Sequence, residues 1–195
     1  MNEVDRMKSV IDSENTIIIK NSKFICLLYK VDTILEINEY LENVRGIYPN
    51  ATHYCYSYIL DNDKKESDDG EPSGTAGIPM LQVLEKNNLN HVLCIVVRYF
   101  GKIKLGAGGL VRAYTKSVVE CLKNNIIELK KGFEVNITFS YNDVKQVDYL
   151  LKEYEIRNKI FDNDITYNLF LDNELLNSLK QFNGIKIDII RDIYF

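Results

Sequence analysis

Hydrophobic positions along the chain fall into short runs whose period switches between two and three-to-four, and those switches lay out the elements. Residues 16–20 and 24–31 are rich in Ile, Leu and aromatics and flank Asn21-Ser22, which predicts a β-hairpin. Residues 33–46 place Ile34, Ile37, Tyr40, Leu41 and Val44 at helical spacing, with Thr33 to cap the start and Gly46 to close the end. A strand over 53–60, a long polar loop over 61–77 and a short helix over 78–86 follow, with Pro79 tolerable in that helix's first turn. Residues 91–100 are apolar and β-branched without alternation, the pattern of a strand buried on both faces. A second glycine-bearing loop over 101–109 leads into a helix over 110–124 that turns Leu110, Val111, Tyr114, Val118, Cys121 and Leu122 inward.

Lys130-Lys131-Gly132 interrupts the pattern and predicts a domain boundary. Beyond it come strands over 133–140, 156–161, 165–171 and 185–193, with helices over 143–154 and 173–182. That order, β-α-β-β-α-β, is the ferredoxin-like split unit. The fold class read from the pattern is α+β, in two domains spanning 1–131 and 132–195.

Charge localises the chemistry. The net charge is -4. Residues 1–131 carry 17 basic and 17 acidic side chains, whereas residues 132–195 carry 7 and 11. A diffuse polyanion-binding surface is therefore not expected, and anion binding must be local and in the first domain. The longest apolar run, 92–97, is too short to cross a bilayer, and residues 1–11 lack the apolar core of a signal peptide. Cys26, Cys55, Cys94 and Cys121 are widely spaced within apolar segments and read as buried, reduced thiols of a cytoplasmic protein with no membrane partner.

Three constellations could carry function. Ser67-Asp68-Asp69-Gly70-Glu71-Pro72-Ser73-Gly74-Thr75-Ala76-Gly77 crowds three carboxylates into four positions. Such a cluster is either an exposed loop capped onto the next helix by Thr75, or is offset by Arg or Lys, or holds a hard cation. The stretch from Arg98 through Tyr99, Phe100, Gly101, Lys102 and Lys104 to Gly106, Gly108, Gly109 and Arg112 ends a buried strand in glycines and opens a helix between cations. Its backbone donors and helix N-terminus suit an oxyanion, or the glycines make only a tight turn. The spacing fits neither a Walker A loop nor a dinucleotide fingerprint, and no cofactor is expected. In Thr52-His53-Tyr54-Cys55-Tyr56-Ser57-Tyr58, strand alternation puts His53, Cys55 and Ser57 on one side and the tyrosines on the other. Cys55 reads as core and not as half of a Cys–His catalytic pair, while His53 could border the acidic loop.

Together these residues resemble the IMPACT family, including its YigZ-like bacterial members. The matching pieces are Asn21-Ser22-Lys23-Phe24, Ala51-Thr52-His53-Tyr54-Cys55-Tyr56, residues 67–77, and Val96-Val97-Arg98-Tyr99-Phe100-Gly101 onward to Tyr114. The resemblance implies a first domain like the second domain of ribosomal small-subunit protein five, a fold also seen in elongation factor G. It implies a second domain like the last domain of that factor. Eukaryotic relatives restrain a starvation-responsive kinase by competing for its co-activator and carry an extra N-terminal partner-binding domain, so that role is not expected to transfer. Where the family reads Arg-Tyr-Phe-Gly-Gly, this chain has Lys102 in place of the second glycine. If that glycine needs a positive φ, lysine is strained there; if not, Lys102 adds a cation.

The leading expectation is a protein that binds RNA or a ribosome-associated partner in the regulation of translation. Its ligand contacts would come from His53, Asp68, Asp69, Glu71, Ser73, Arg98, Tyr99, Phe100, Lys102, Lys104, Gly106, Gly108, Gly109 and Arg112. Within that set the cations meet phosphates, and Tyr99 or Phe100 stacks on a base. The alternatives are an enzyme, hydrolase or phosphoester-handling, built on Asp68, Asp69 and Glu71, and a module that binds a protein or peptide partner through Glu71, Pro72 and Phe100.

Overall fold

The computed structural model describes residues 6–195. The reading of residues 1–11 bears in part on residues 1–5, which lie outside the described residues. The chain divides into two compact units, Lys8–Glu128 and Leu129–Phe195, the latter joined by Arg6 and Met7 among the described residues. Strand β1 (Arg6–Val10) and strand β7 (Ile126–Phe139) pair with each other, and each spans the point of division.

The first unit is a five-stranded antiparallel sheet in the order β2-β3-β6-β4-β5, formed by β2 (Ser13–Ile19), β3 (Ser22–Lys30), β4 (His53–Leu60), β5 (Asp63–Ser67) and β6 (Val92–Tyr99). The β2–β3 hairpin turns on Lys20 and Asn21, both at positive φ (45° and 64°), which gives the two-residue loop the twist the strands need. Helix α1 (Ile34–Ile47) begins as its sequence predicts, with the Thr33 hydroxyl accepting the Glu36 N–H at 3.2 Å. It runs one residue past Gly46, and the Tyr48 N–H closes the helix on the Val44 carbonyl.

Strand β6 explains its own lack of alternation. Val92, Cys94 and Val96 pack under helices α2 (Gly77–Lys86) and α3 (Ala107–Leu122), while Leu93, Ile95 and Val97 pack under α1. The central strand is thus sandwiched between two layers of helix, and both of its faces must be apolar. All four cysteines are free and buried. Outside the candidate loops, His91 sits at φ 52° between two carboxylates, with Nδ1 3.0 Å from Asp32 and Nε2 3.0 Å from Asp61. The His91 contact, together with Lys30, holds the Asp32 carboxyl down at about 2 against the cost of burial.

Two sequence boundaries need correction. The predicted loop over 61–77 contains β5, an edge strand of charged residues that pairs with β4 from Asp63–Leu60 to Ser67–Tyr56. The helix predicted from 110 starts at Ala107, so Gly108 and Gly109 are helical and not loop residues.

The second unit has strands β8 (Ile156–Phe161), β9 (Ile165–Asp172) and β10 (Lys186–Tyr194), which with β7 give the order β10-β7-β9-β8. Counted within the unit this is fourth-first-third-second, all antiparallel, the strand order of the split β-α-β arrangement. Helices α4 (Val144–Leu150) and α5 (Asn173–Leu179) cover one face with Val147, Leu175, Leu176 and Leu179. Both helices are shorter than their sequence pattern suggests. Lys130-Lys131-Gly132 does not interrupt the backbone, because all three lie within β7. Gly132 is there for space: a Cβ would meet the Phe195 ring and, at 2.5 Å, the Leu171 carbonyl.

Candidate functional site

Register positions the site. At the end of the sheet, Arg98 on β6 is paired with Phe24 on β3 and with His53 on β4, so the three side chains form a row on the face covered by α2 and α3. Residue Tyr99 points the other way, packs with the α1 layer and donates its hydroxyl to the Pro49 carbonyl at 3.1 Å. It is therefore not a stacking residue of this face, which corrects the sequence expectation for Tyr99.

The acidic loop folds against this row with each carboxylate engaged. Asp68 accepts the N–H groups of Gly74 at 2.7 Å and of Ala76 and Gly77 at 2.9 Å each. Burial pushes its carboxyl up, but the three backbone donors outweigh it and hold the group below the usual carboxylate value. Asp68, and not Thr75, thus caps the start of α2; the Thr75 hydroxyl donates to the Pro72 carbonyl at 2.6 Å. Asp69, at φ 42°, accepts the Tyr54 N–H at 2.6 Å and pairs with Arg45 of α1 at 3.0 Å. Its carbonyl takes the Nδ1 proton of His53 at 2.8 Å.

Glu71 and Arg98 are the centre of the site. Both are buried, at 7% and 5% exposed. Glu71 Oε1 receives Arg98 Nη1 at 2.5 Å and the Tyr114 hydroxyl at 2.7 Å. Arg98 Nη2 reaches the Ser22 hydroxyl at 3.5 Å, and its guanidinium carbon lies 5.3 and 5.5 Å from the ring centroids of Phe24 and Phe100. Here one stretch supplies the carboxylate and the other the guanidinium, and the two loops do share a cleft. Beside them, the single Cys55 S–H has two acceptors in reach, the Asp68 carbonyl at 3.0 Å and the Tyr114 hydroxyl oxygen at 3.3 Å. Burial pushes that thiol up to about 12, so it is protonated and is no nucleophile. Burial, with Cys55 and Glu71 alongside, also raises the Tyr114 phenol.

The cleft has a volume of about 400 Å³. Seven of the contacts named from sequence line it: His53, Glu71, Pro72, Arg98, Phe100, Lys104 and Gly106. Asp68, Asp69, Ser73, Tyr99, Lys102, Gly108, Gly109 and Arg112 do not. Ser73, Lys102, Gly108 and Arg112 are exposed outside it, and Gly109 spends its N–H on the Gly106 carbonyl at 3.1 Å. Sequence reasoning missed Tyr114 and Ser22 as supports of the ion pair and Leu105, Ala107 and Leu110 as walls. Ser22 and Tyr114 both lay within the quoted motifs, where their role has no local signature. Among the described residues no group of three or more His, Cys, Asp and Glu side chains is placed to hold a metal ion. With its acids engaged and its thiol protonated, the arrangement presents fixed donors to a ligand.

The comparisons with known proteins agree with the motifs. Residues 20–122 match the family model described as the Impact N-terminal domain. The chain belongs to the IMPACT family. The IMPACT family member YvyE of Bacillus subtilis (strain 168) is 44% identical over 151 residues, covering 72% of this chain and 70% of that protein. IMPACT family member YigZ of Escherichia coli (strain K12) is 35% identical over 152 residues, 75% of this chain and 74% of its own. A crystal structure described only as that of a hypothetical protein covers 96% of this chain and 98% of its own at a TM-score of 0.67 and 27% identity.

Lys102, the departure from the IMPACT motif, adopts φ 65°. A lysine there carries the left-handed penalty that glycine escapes, roughly 1–2 kcal/mol, less the larger chain entropy that glycine loses on folding. Lys102→Gly is expected to stabilise the protein by about 0.5–1 kcal/mol, read as a higher urea midpoint at unchanged slope. A lower midpoint would mean that the lysine side chain holds the loop.

Proposed function

We propose that this IMPACT family protein binds RNA in translation or its regulation, through the surface around the β2–β3 turn and the β6–α3 loop. One observation carries the reading: the two loops divide their charges unequally. Every carboxylate of the acidic loop is occupied within the fold, whereas Lys102, Lys104 and Arg112 form no ion pair among the described residues. Lys20 adds one more exposed cation, without an ion pair among the described residues, on the turn that abuts Gly101. Phe100 and Ile103, 43% and 45% exposed, interleave apolar surface with that charge. Cations with nothing to neutralise and aromatic surface beside them suit a phosphate backbone with unstacked bases. On this reading the first unit corresponds to the second domain of ribosomal small-subunit protein five, and the second unit to the last domain of elongation factor G. The enzyme reading loses ground because its acids are occupied by backbone N–H groups and guanidinium.

Fluorescence anisotropy with a labelled single-stranded RNA across a salt series tests it. Each phosphate contact contributes about 0.7 to the slope of log K against log salt, so Lys104→Ala/Arg112→Ala should lower that slope by about 1.4. Binding without salt dependence, or unchanged in the double variant, would remove RNA from the account.

A further inference from the structure

Building on the RNA-binding reading, the cleft itself has features that a basic surface does not require. Arg98 lies on its floor with Nε bonded to no acceptor among the described residues, although the side chain is buried. The guanidinium cannot turn to find one, since Glu71, Ser22 and the Phe24 ring hold it. The Asp69 carbonyl can only accept, so the Nδ1 of His53 carries a proton, and the ring's Nε2 lies 3.8 Å from Glu71 Oε2. Helix α3 opens at Gly106, φ 72°, with no side chain capping it, and Gly106 and Ala107 line the cleft. Lys104 stands at the same rim and the exposed Phe100 ring forms a wall. An aromatic wall, the buried Arg98 guanidinium on the floor, the His53 ring and a cationic rim over an uncapped 16-residue helix end converge in about 400 Å³.

We propose that this cleft binds one nucleoside phosphate unit, supplied by an unpaired nucleotide of RNA. The base lies against Phe100 and within reach of the His53 edge, and the phosphate meets the open end of α3 and Lys104. Stacking tolerates any base, so the site selects unpaired over paired nucleotides more than it selects sequence.

The test compares a labelled single strand with a blunt duplex of equal length, using wild type, Phe100→Ala and Ala107→Asp. The aspartate replaces an exposed first-turn residue and is favoured at a helix N-terminus, so the protein stays folded while the cleft gains a repelling charge. The single strand should bind about tenfold more tightly than the duplex, and each variant should remove that difference. A mixture of nucleoside 5′-monophosphates should displace the single strand, and inorganic phosphate at equal concentration should not. Equal binding of strand and duplex, untouched by either variant, overturns the cleft proposal while salt-dependent affinity still upholds RNA binding. Monophosphate binding that Phe100→Ala abolishes, without any RNA affinity, sustains the cleft and sinks the RNA reading. If neither ligand binds, both fall.

Discussion

Replacing Glu71 by alanine is expected to destabilise the first unit by about 3–5 kcal/mol, because it strands a charge that cannot leave. Arg98 is 5% exposed, and its guanidinium has Glu71 as its one carboxylate partner among the described residues. Removing that carboxylate leaves a buried cation with a distant hydroxyl, Ser22 at 3.5 Å, and an unanswered Nε. It also takes the acceptor from the buried Tyr114 hydroxyl. Glu71→Gln keeps an acceptor for one of the two donors but loses the charge, so it should cost less than alanine and more than a surface change. The decisive comparison is the double variant Glu71→Ala/Arg98→Leu. Removing both charges together should recover much of the loss, since two apolar side chains leave no buried ion behind. Urea unfolding followed by far-ultraviolet circular dichroism reads all three. A Glu71→Ala protein within about 1 kcal/mol of wild type would mean that the two loops do not close on each other as described.

How much of this was legible depends on whether side chains or backbone do the holding. The run 92–97 announced a strand covered on both sides, and the sandwich of α1 against α2 and α3 is that cover. The hairpin around Asn21 and strand β4 were equally plain, because their Ile, Leu and aromatic residues mark strands, and β3 and β4 are covered on both faces. Strand β5 was invisible: Asp63-Lys64-Lys65-Glu66-Ser67 has no apolar face, and only backbone pairing to β4 at the sheet edge makes it a strand. The early start of α3 was hidden by glycines, which are poor helix formers and give no periodic signal. Within the site, the sequence exposed the crowd of carboxylates and the run of cations but not their pairing. Asp68 is satisfied by backbone N–H groups of its own loop and Asp69 by an arginine on a helix that precedes it by 24 positions. Only Glu71 meets the glycine-bearing loop, through the cation that sits deepest. The resemblance to the IMPACT family marked these segments as belonging together, whereas the division of labour among them came from register and burial.

Gly101→Ala tests the contact on which both loops depend, and it should be the most damaging single methyl in the first unit. A Cβ at this position would fall on the backbone of the β2–β3 turn, meeting the Asn21 carbonyl group and the Ser22 nitrogen. No flexible side chain is present to give way, so either the turn or the end of β6 must move. The turn carries Ser22, whose hydroxyl accepts the Gly101 N–H at 3.1 Å and reaches Arg98, so movement there loosens the buried ion pair as well. Overpacking against backbone costs about 3 kcal/mol or more. The same substitution at Gly46 provides the contrast. It lies inside α1 with nothing within 4 Å of a new Cβ, so Gly46→Ala should stabilise by about 0.5–1 kcal/mol through helix propensity. Opposite signs in the two melting shifts would establish that glycine at 101 answers a need for space and not for flexibility. A Gly101→Ala protein that melts with wild type would separate the turn from the loop, and the cationic surface assembled from both would come apart with them.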